Sequence, residues 1–126
     1  MGLSVCSFAS GSSGNCYLVR SDRETILIDA GISNKKITEF LKTAGIERDV
    51  ISGVFITHEH TDHTKGLRVL TRTNPDWNVF ASQGTAHLLQ EMIHGEKQLI
   101  CFEAGSTIRI GDMDIQSIPV SHDAAD

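Results

Sequence analysis

Val54-Phe55-Ile56-Thr57-His58-Glu59-His60-Thr61-Asp62-His63-Thr64-Lys65-Gly66-Leu67 decides how this chain folds and what it can hold. Three apolar residues lead into three imidazoles and two carboxylates, and a helical pattern begins at Lys65-Gly66-Leu67. Such a run reads as a buried strand that presents its polar residues at its end, before a helix. Imidazole nitrogen and carboxylate oxygen are the ligands preferred by zinc and its divalent neighbours. Residues two apart in an extended segment point the same way, so His58 and His60 can share one ion. Asp62 and His63 come after the chain has turned and are better placed for a second ion. Two metals clamping one oxygen suit phosphoester and related hydrolysis, so the stretch reads as a dinuclear hydrolase site. The bland alternative is a solvated, histidine-rich surface loop. The strand before and the helix after argue against it.

Upstream, the chain opens with strands expected at Leu3 to Ala9, Cys16 to Arg20 and Thr25 to Asp29, an antiparallel meander. The first two are joined by Ser10-Gly11-Ser12-Ser13-Gly14-Asn15, a turn-forming cluster whose backbone N–H groups can form an anion-binding nest. Ser12, Ser13, Gly14 and Asn15 are therefore candidates for a substrate loop. Asp29 ends the apolar run Ile26-Leu27-Ile28, and a carboxylate there needs partners. It is either a turn or helix cap or a group that accepts a hydrogen bond from the metal ligands and orients them. Ser33 is a plausible N-cap for a helix to about Ala44, with Gly45 at its end. Ile37, Phe40, Leu41 and Ala44 give that helix an apolar stripe expected to be core. Val50 to Thr57 then returns to the sheet and delivers the histidine cluster.

Downstream, Leu67 to Thr71 suggests a short helix that Asn74-Pro75 terminates. A strand at Asn78 to Ala81 precedes a helix from Thr85 to His94, with Leu88, Leu89, Met92 and Ile93 buried and Gly95 as the stop. His87 and His94 are read as structural or exposed. Strands follow at Gln98 to Phe102, Thr107 to Ile110 and Met113 to Val120, with Gly111-Asp112 as a hairpin turn. The order β-β-β-α-β-α-β-α-β-β-β is a mixed α/β pattern. His122 ends the last apolar run as His58 ends an earlier one. A single strand-end histidine is usually incidental, but this one would complete the three imidazoles of a tetrahedral ion with one open position.

The chain has 126 residues, the size of one domain, and its 40% hydrophobic and 21% charged fractions are those of a soluble globular protein. No apolar run is long enough to span a membrane, and Met1-Gly2-Leu3-Ser4 lacks the basic and apolar regions of a signal peptide. Cys6, Cys16 and Cys101 lack Cys-x-x-Cys spacing and are read as small buried hydrophobes in a reducing cytoplasm. The net charge of −5, with no basic cluster, gives no electrostatic footprint for broad nucleic-acid binding. Two divalent cations would restore local positive charge, so a phosphate substrate is still accommodated.

Taken together, the apolar strand, His-x-His-x-Asp-His and the following Gly-Leu resemble the metallo-β-lactamase superfamily. Within it, Phe8-Ala9-Ser10-Gly11-Ser12-Ser13-Gly14-Asn15, Thr57 to His63 and Pro119-Val120-Ser121-His122-Asp123-Ala124 are similar to the YycJ/WalJ-type metallohydrolases. The resemblance covers the whole chain. It implies an αββα sandwich with a dinuclear site at the edge between two sheets. It also implies that His58, His60 and His122 hold the first metal, Asp62 and His63 the second, and that Asp29 supports them. The chain departs from the family by stopping before a fourth-motif Asp and a fifth-motif His. Residues 1–126 are therefore expected to be the N-terminal part of one such domain, inactive alone because the second ion has too few ligands.

The resemblance further implies a 5′-to-3′ DNA exonuclease, in a subfamily found beside a cell-wall regulatory two-component system in Gram-positive bacteria. The ions, zinc with manganese or iron as alternatives, would activate a water that attacks phosphorus, with Asp62 also able to take its proton. DNA is the favoured partner, and no membrane partner is expected. Three competing readings stand: an RNA-processing hydrolase, a hydrolase of small thioesters, lactones or cyclic phosphodiesters, and a non-catalytic metal- or partner-binding fragment.

Overall fold

The computed structural model describes residues 2–93, 95 and 98–116. Six strands form one sheet in sequence order: β1 (Ser4–Ala9), β2 (Cys16–Arg20), β3 (Thr25–Ile28), β4 (Ile51–Phe55), β5 (Asn78–Ser82) and β6 (Leu99–Phe102). The first three pair antiparallel, whereas β3 through β6 run parallel. Parallel pairing needs crossovers, and the helices supply them: α1 (Asn34–Thr43), α2 (Thr61–Thr64), α3 (Leu67–Thr73) and α4 (Gln83–Leu89). A separate hairpin, β7 (Thr107–Ile110) and β8 (Met113–Gln116), forms a second small sheet.

The period of two along each strand divides the core into two layers. Leu18, Leu27, Val54 and Val79 face one way and pack with Ile37 and Leu41 of α1, Leu67 and Leu70 of α3, and Leu89 of α4. Ile26, Phe55 and Phe80 face the other way and pack beneath Met113, Ile108 and Ile115 of the hairpin. Phe55 and Phe80 stack with centroids 4.5 Å apart. The architecture is thus helix layer, main sheet, then the start of a second sheet, as an αββα sandwich requires of its first half.

Helix α1 begins where expected: the Ser33 hydroxyl accepts from the Lys36 amide at 3.2 Å. Its buried stripe is narrower than the periodicity suggests, because Ala44 is exposed and Phe40 is 39% exposed. Helix α4 starts two residues before Thr85 and gives way to a 3-10 turn at Gln90–Met92. Thr85 and Ala86 are buried with Leu89, while Leu88 lies outside. The helix thus turns Thr85, Ala86 and Leu89 inward, and not the Leu88 face. Cys6 and Cys101 are exposed, contrary to the buried reading, because β1 and β6 are the two edges of the sheet. Strand β8 is described as far as Gln116; Val120 and His94 lie outside the described residues.

One buried polar side chain closes the far side of the helix layer. The Gln98 amide donates from Nε2 toward the Thr71, Asn74 and Trp77 carbonyls at 3.0–3.1 Å, and its Oε1 accepts from Gly95 N–H at 3.2 Å. Gln98→Leu keeps the volume but strands those carbonyls away from water. We expect a loss of about 3 kcal/mol, read as a lowered urea midpoint at unchanged m-value.

Candidate metal centre

Strand direction gathers the site. The carboxyl ends of the parallel strands share one edge of the sheet, where open α/β sheets place their ligands. Asp29 follows β3 and Thr57 to His63 follow β4, so both arrive there. Because β2 runs antiparallel to β3 and β1 to β2, the Ser10–Asn15 connection reaches the same edge.

Asp29 is the hub. Its carboxylate is 2% exposed and accepts three hydrogen bonds, each 2.7 Å: from the Thr57 amide, from the Thr57 hydroxyl and from His63 Nδ1. It is also the one non-glycine residue with positive φ among the described residues, at 66°. That backbone is held by Asp29 N–H donating to the Phe55 carbonyl at 2.7 Å. A strained conformation at a site with this many partners marks a position held for its side chain.

These contacts favour one tautomer for each imidazole. An ionised carboxylate only accepts, so His63 carries its proton on Nδ1 and turns a lone pair outward at Nε2. The Thr57 hydroxyl donates its single proton to Asp29, so toward His58 Nδ1, 3.1 Å away, it is the acceptor. That contact favours His58 with its proton on Nδ1 and its lone pair on Nε2. Sequence inspection missed Thr57; a hydroxyl directly before the first histidine was the available signal.

Asp62 lies beside His63, with Oδ2 3.6 Å from His63 Nε2. Two donors on one tetrahedral ion at about 2.0–2.1 Å lie roughly 3.4 Å apart, so this pair has the spacing of ligands to a common cation. The rings of His58 and His63 lie 4.8 Å apart, and those of His58 and His60 6.1 Å. His60, N-terminal to α2, is half exposed and contacts the Glu59 carboxylate at 3.1 Å. Among the described residues no three His, Cys, Asp or Glu side chains converge on one point that would hold an ion. The donor chemistry fits a zinc-class ion; His122, expected from the resemblance as a third imidazole, lies outside the described residues. His87 is exposed on α4.

The Gly-Ser loop is stitched to the histidine loop. Asn15 N–H donates to the Asp62 carbonyl at 2.8 Å, and its side-chain amide donates to the same carbonyl at 3.1 Å and to Gly11 O at 2.9 Å. Gly31 N–H donates to Asn15 O, and Ala30 N–H to His63 O, both at 2.8 Å. Gly14 and Gly31 are required by this contact: a Cβ on Gly14 would lie 2.6 Å from Gly31 O, and one on Gly31 would overlap the Asp62 carbonyl. Gly14 and Asn15 thus position Asp62, while Ser12 and Ser13 stay exposed.

Cys16 is fully buried at the start of β2. Burial, and then the charge of Asp29, push its thiol from 9.0 up to about 12. A thiol held protonated is neither ligand nor nucleophile at neutral pH. In a native thiol assay Cys6 and Cys101 should react promptly and Cys16 only on unfolding. Between pH 9 and 12 the unfolded chain releases a proton that the folded chain keeps, so this contribution to stability is full below pH 9 and declines above it.

Residues 9–76 match the model of the metallo-β-lactamase superfamily. The chain is 39% identical to exodeoxyribonuclease YycJ of Bacillus anthracis, across 100% of this chain and 48% of that protein. It is 37% identical to exodeoxyribonuclease WalJ of Streptococcus pneumoniae, across 98% and 47%. It spans about half the length of these curated relatives. Among solved structures, a metallo-β-lactamase from Cronobacter sakazakii superposes with a TM-score of 0.75 at 19% identity, over 90% of this chain and 50% of that one. The Rm3 metallo-β-lactamase gives 0.72 at 23% identity, over 89% and 47%. At these identities the likeness concerns the fold.

Proposed function

Because this chain belongs to the metallo-β-lactamase superfamily, we propose that the whole protein is a metal-dependent phosphodiesterase that degrades DNA from its 5′ end. The observation that carries this reading is similarity to exodeoxyribonucleases along the entire chain, Gly-Ser loop included, and not over the histidine motif alone. The reading places the protein in the cytoplasm. No helix among the described residues is long and apolar enough to cross a membrane.

In this proposal His58, His60 and His122 hold one divalent ion, and Asp62 and His63 hold the other. Such ions, when bound, supply positive charge against the phosphate and acidify water at neutral pH. The remaining work belongs to the chain. Asp29 keeps the His63 proton on Nδ1 and fixes the ring, and Thr57 does the same for His58. Asn15 and Gly31 hold the backbone from which Asp62 projects. The Asp62 carboxylate, about one-third exposed, is the group placed to take a proton from the attacking water. Zinc is the expected ion, with manganese or iron compatible with the same donors.

The test offers the whole protein 5′-phosphorylated duplex DNA, single-stranded DNA, a tRNA precursor and a p-nitrophenyl phosphodiester. We expect nucleotides to be released from the DNA 5′ end, with the activity lost to chelator and restored by zinc or manganese. Preferential cleavage of the tRNA precursor would replace this reading with RNA processing. Hydrolysis undiminished in His60→Ala would remove the metal site from the chemistry.

A further inference from the structure

We propose that the groove between the Gly-Ser loop and α1 is a stacking subsite for an unpaired nucleobase of a single-stranded nucleic acid, Phe40 taking the base and Lys36 the adjoining phosphate. This inference rests on the phosphodiesterase reading above and extends it to how the substrate strand is held. The groove has a volume of about 420 Å³ and is bordered by Phe8, Ser13, Ile32, Lys36, Glu39 and Phe40.

Three features of the groove fit a base and its phosphate. Phe8 is buried, and Phe40 stacks on it at a centroid distance of 5.0 Å and 17° between planes. The buried ring holds the outer one in place, and Phe40, 39% exposed, offers an aromatic face to a third planar group. Base–aromatic stacking needs just such a preorganised platform and tolerates any base. Lys36 lies one helical turn before Phe40 on the same face. Together with Lys35 it places cations in the first turn of α1, where the helix dipole favours anions. Among the described residues no carboxylate pairs with either lysine. Lys36 is the cation that borders the groove, one turn from Phe40 and placed for a single phosphate. Glu39, also in the groove, is an acceptor for the exocyclic amino group of cytosine, adenine or guanine, which thymine lacks.

The groove adjoins the loops that clasp the Asp62 backbone. Ser13 precedes Gly14 and Asn15, and Ile32 follows Gly31, the residues that clasp the Asp62 backbone. A base stacked on Phe40 therefore lies beside the two loops that carry Asn15 and Gly31.

The test measures binding of fluorescent phosphorothioate oligo(dC) and oligo(dT), which resist hydrolysis, to the metal-loaded whole protein by anisotropy. Phe40→Ala should weaken binding about tenfold, the size of one lost stack. Lys36→Ala should flatten the dependence of log K on log salt by about 0.7. Phe40→Trp should keep the affinity and show indole emission quenched on adding oligonucleotide, a readout that survives if the alanine variant folds poorly. Wild type should prefer oligo(dC), and Glu39→Ala should lose that preference. Wild-type affinity in Phe40→Ala, with no quenching in Phe40→Trp, overturns the groove while DNA hydrolysis by the wild type leaves the functional reading intact. A wild type that neither binds nor cleaves any nucleic acid overturns both.

Discussion

Asp29→Ala should lower folding stability by about 3–5 kcal/mol and weaken divalent-ion affinity roughly 10- to 100-fold. Three donors converge on this one buried carboxylate, and alanine leaves the Thr57 amide and His63 Nδ1–H without their acceptor. Alanine must also adopt the positive φ that Asp29 holds, a conformation aspartate and asparagine tolerate better. The metal effect has a separate cause. Without Asp29 the His63 ring is free to rotate and its proton to move to Nε2, the nitrogen that should face the ion. Asp29→Asn separates the two consequences. Its single acceptor oxygen, kept on the Thr57 amide, leaves an NH2 facing the Thr57 hydroxyl and His63 Nδ1, where it cannot accept from either. It should therefore fold with a smaller loss while still binding zinc poorly. Urea unfolding followed by circular dichroism, and zinc titration calorimetry, read the two effects. Wild-type values for Asp29→Ala in both would show that the carboxylate organises nothing.

Gly31→Ala is the second large effect, expected at about 4 kcal/mol or more, enough to deplete soluble protein. The added methyl would overlap the Asp62 carbonyl and lie 2.6 Å from Asn15 N. Both are backbone atoms, so no flexible side chain can yield. Relief requires the Gly-Ser loop and the histidine loop to separate, breaking Asn15 N–H to Asp62 O and Gly31 N–H to Asn15 O. Gly45→Ala is the control. Gly45 has φ +73 but open space around its Cβ, so that change should cost about 1–2 kcal/mol of backbone strain alone. If the two variants unfold at the same urea concentration, the close approach at Gly31 is not what constrains the site.

Much of the architecture was legible in the residues themselves. The apolar runs in Thr25–Ile28 and Ile51–Phe55, the Ser33 cap and the Gly111-Asp112 turn are properties of a few neighbouring residues, and each element formed where those signals lay. The position of His58 to His63 at a strand end was legible for the same reason. Phe40 and Ala44 continue the period of α1 yet face outward, because how wide a stripe is covered depends on what packs against it. The same holds for Cys6 and Cys101, exposed only because their strands became the edges of the sheet. Thr57 as the group orienting His58, Asn15 as a clamp on Asp62 and Gly31 as the point where two loops touch belong to the tertiary structure alone. Each joins atoms distant along the chain, and no local pattern records which backbone segments the sheet will bring within van der Waals range.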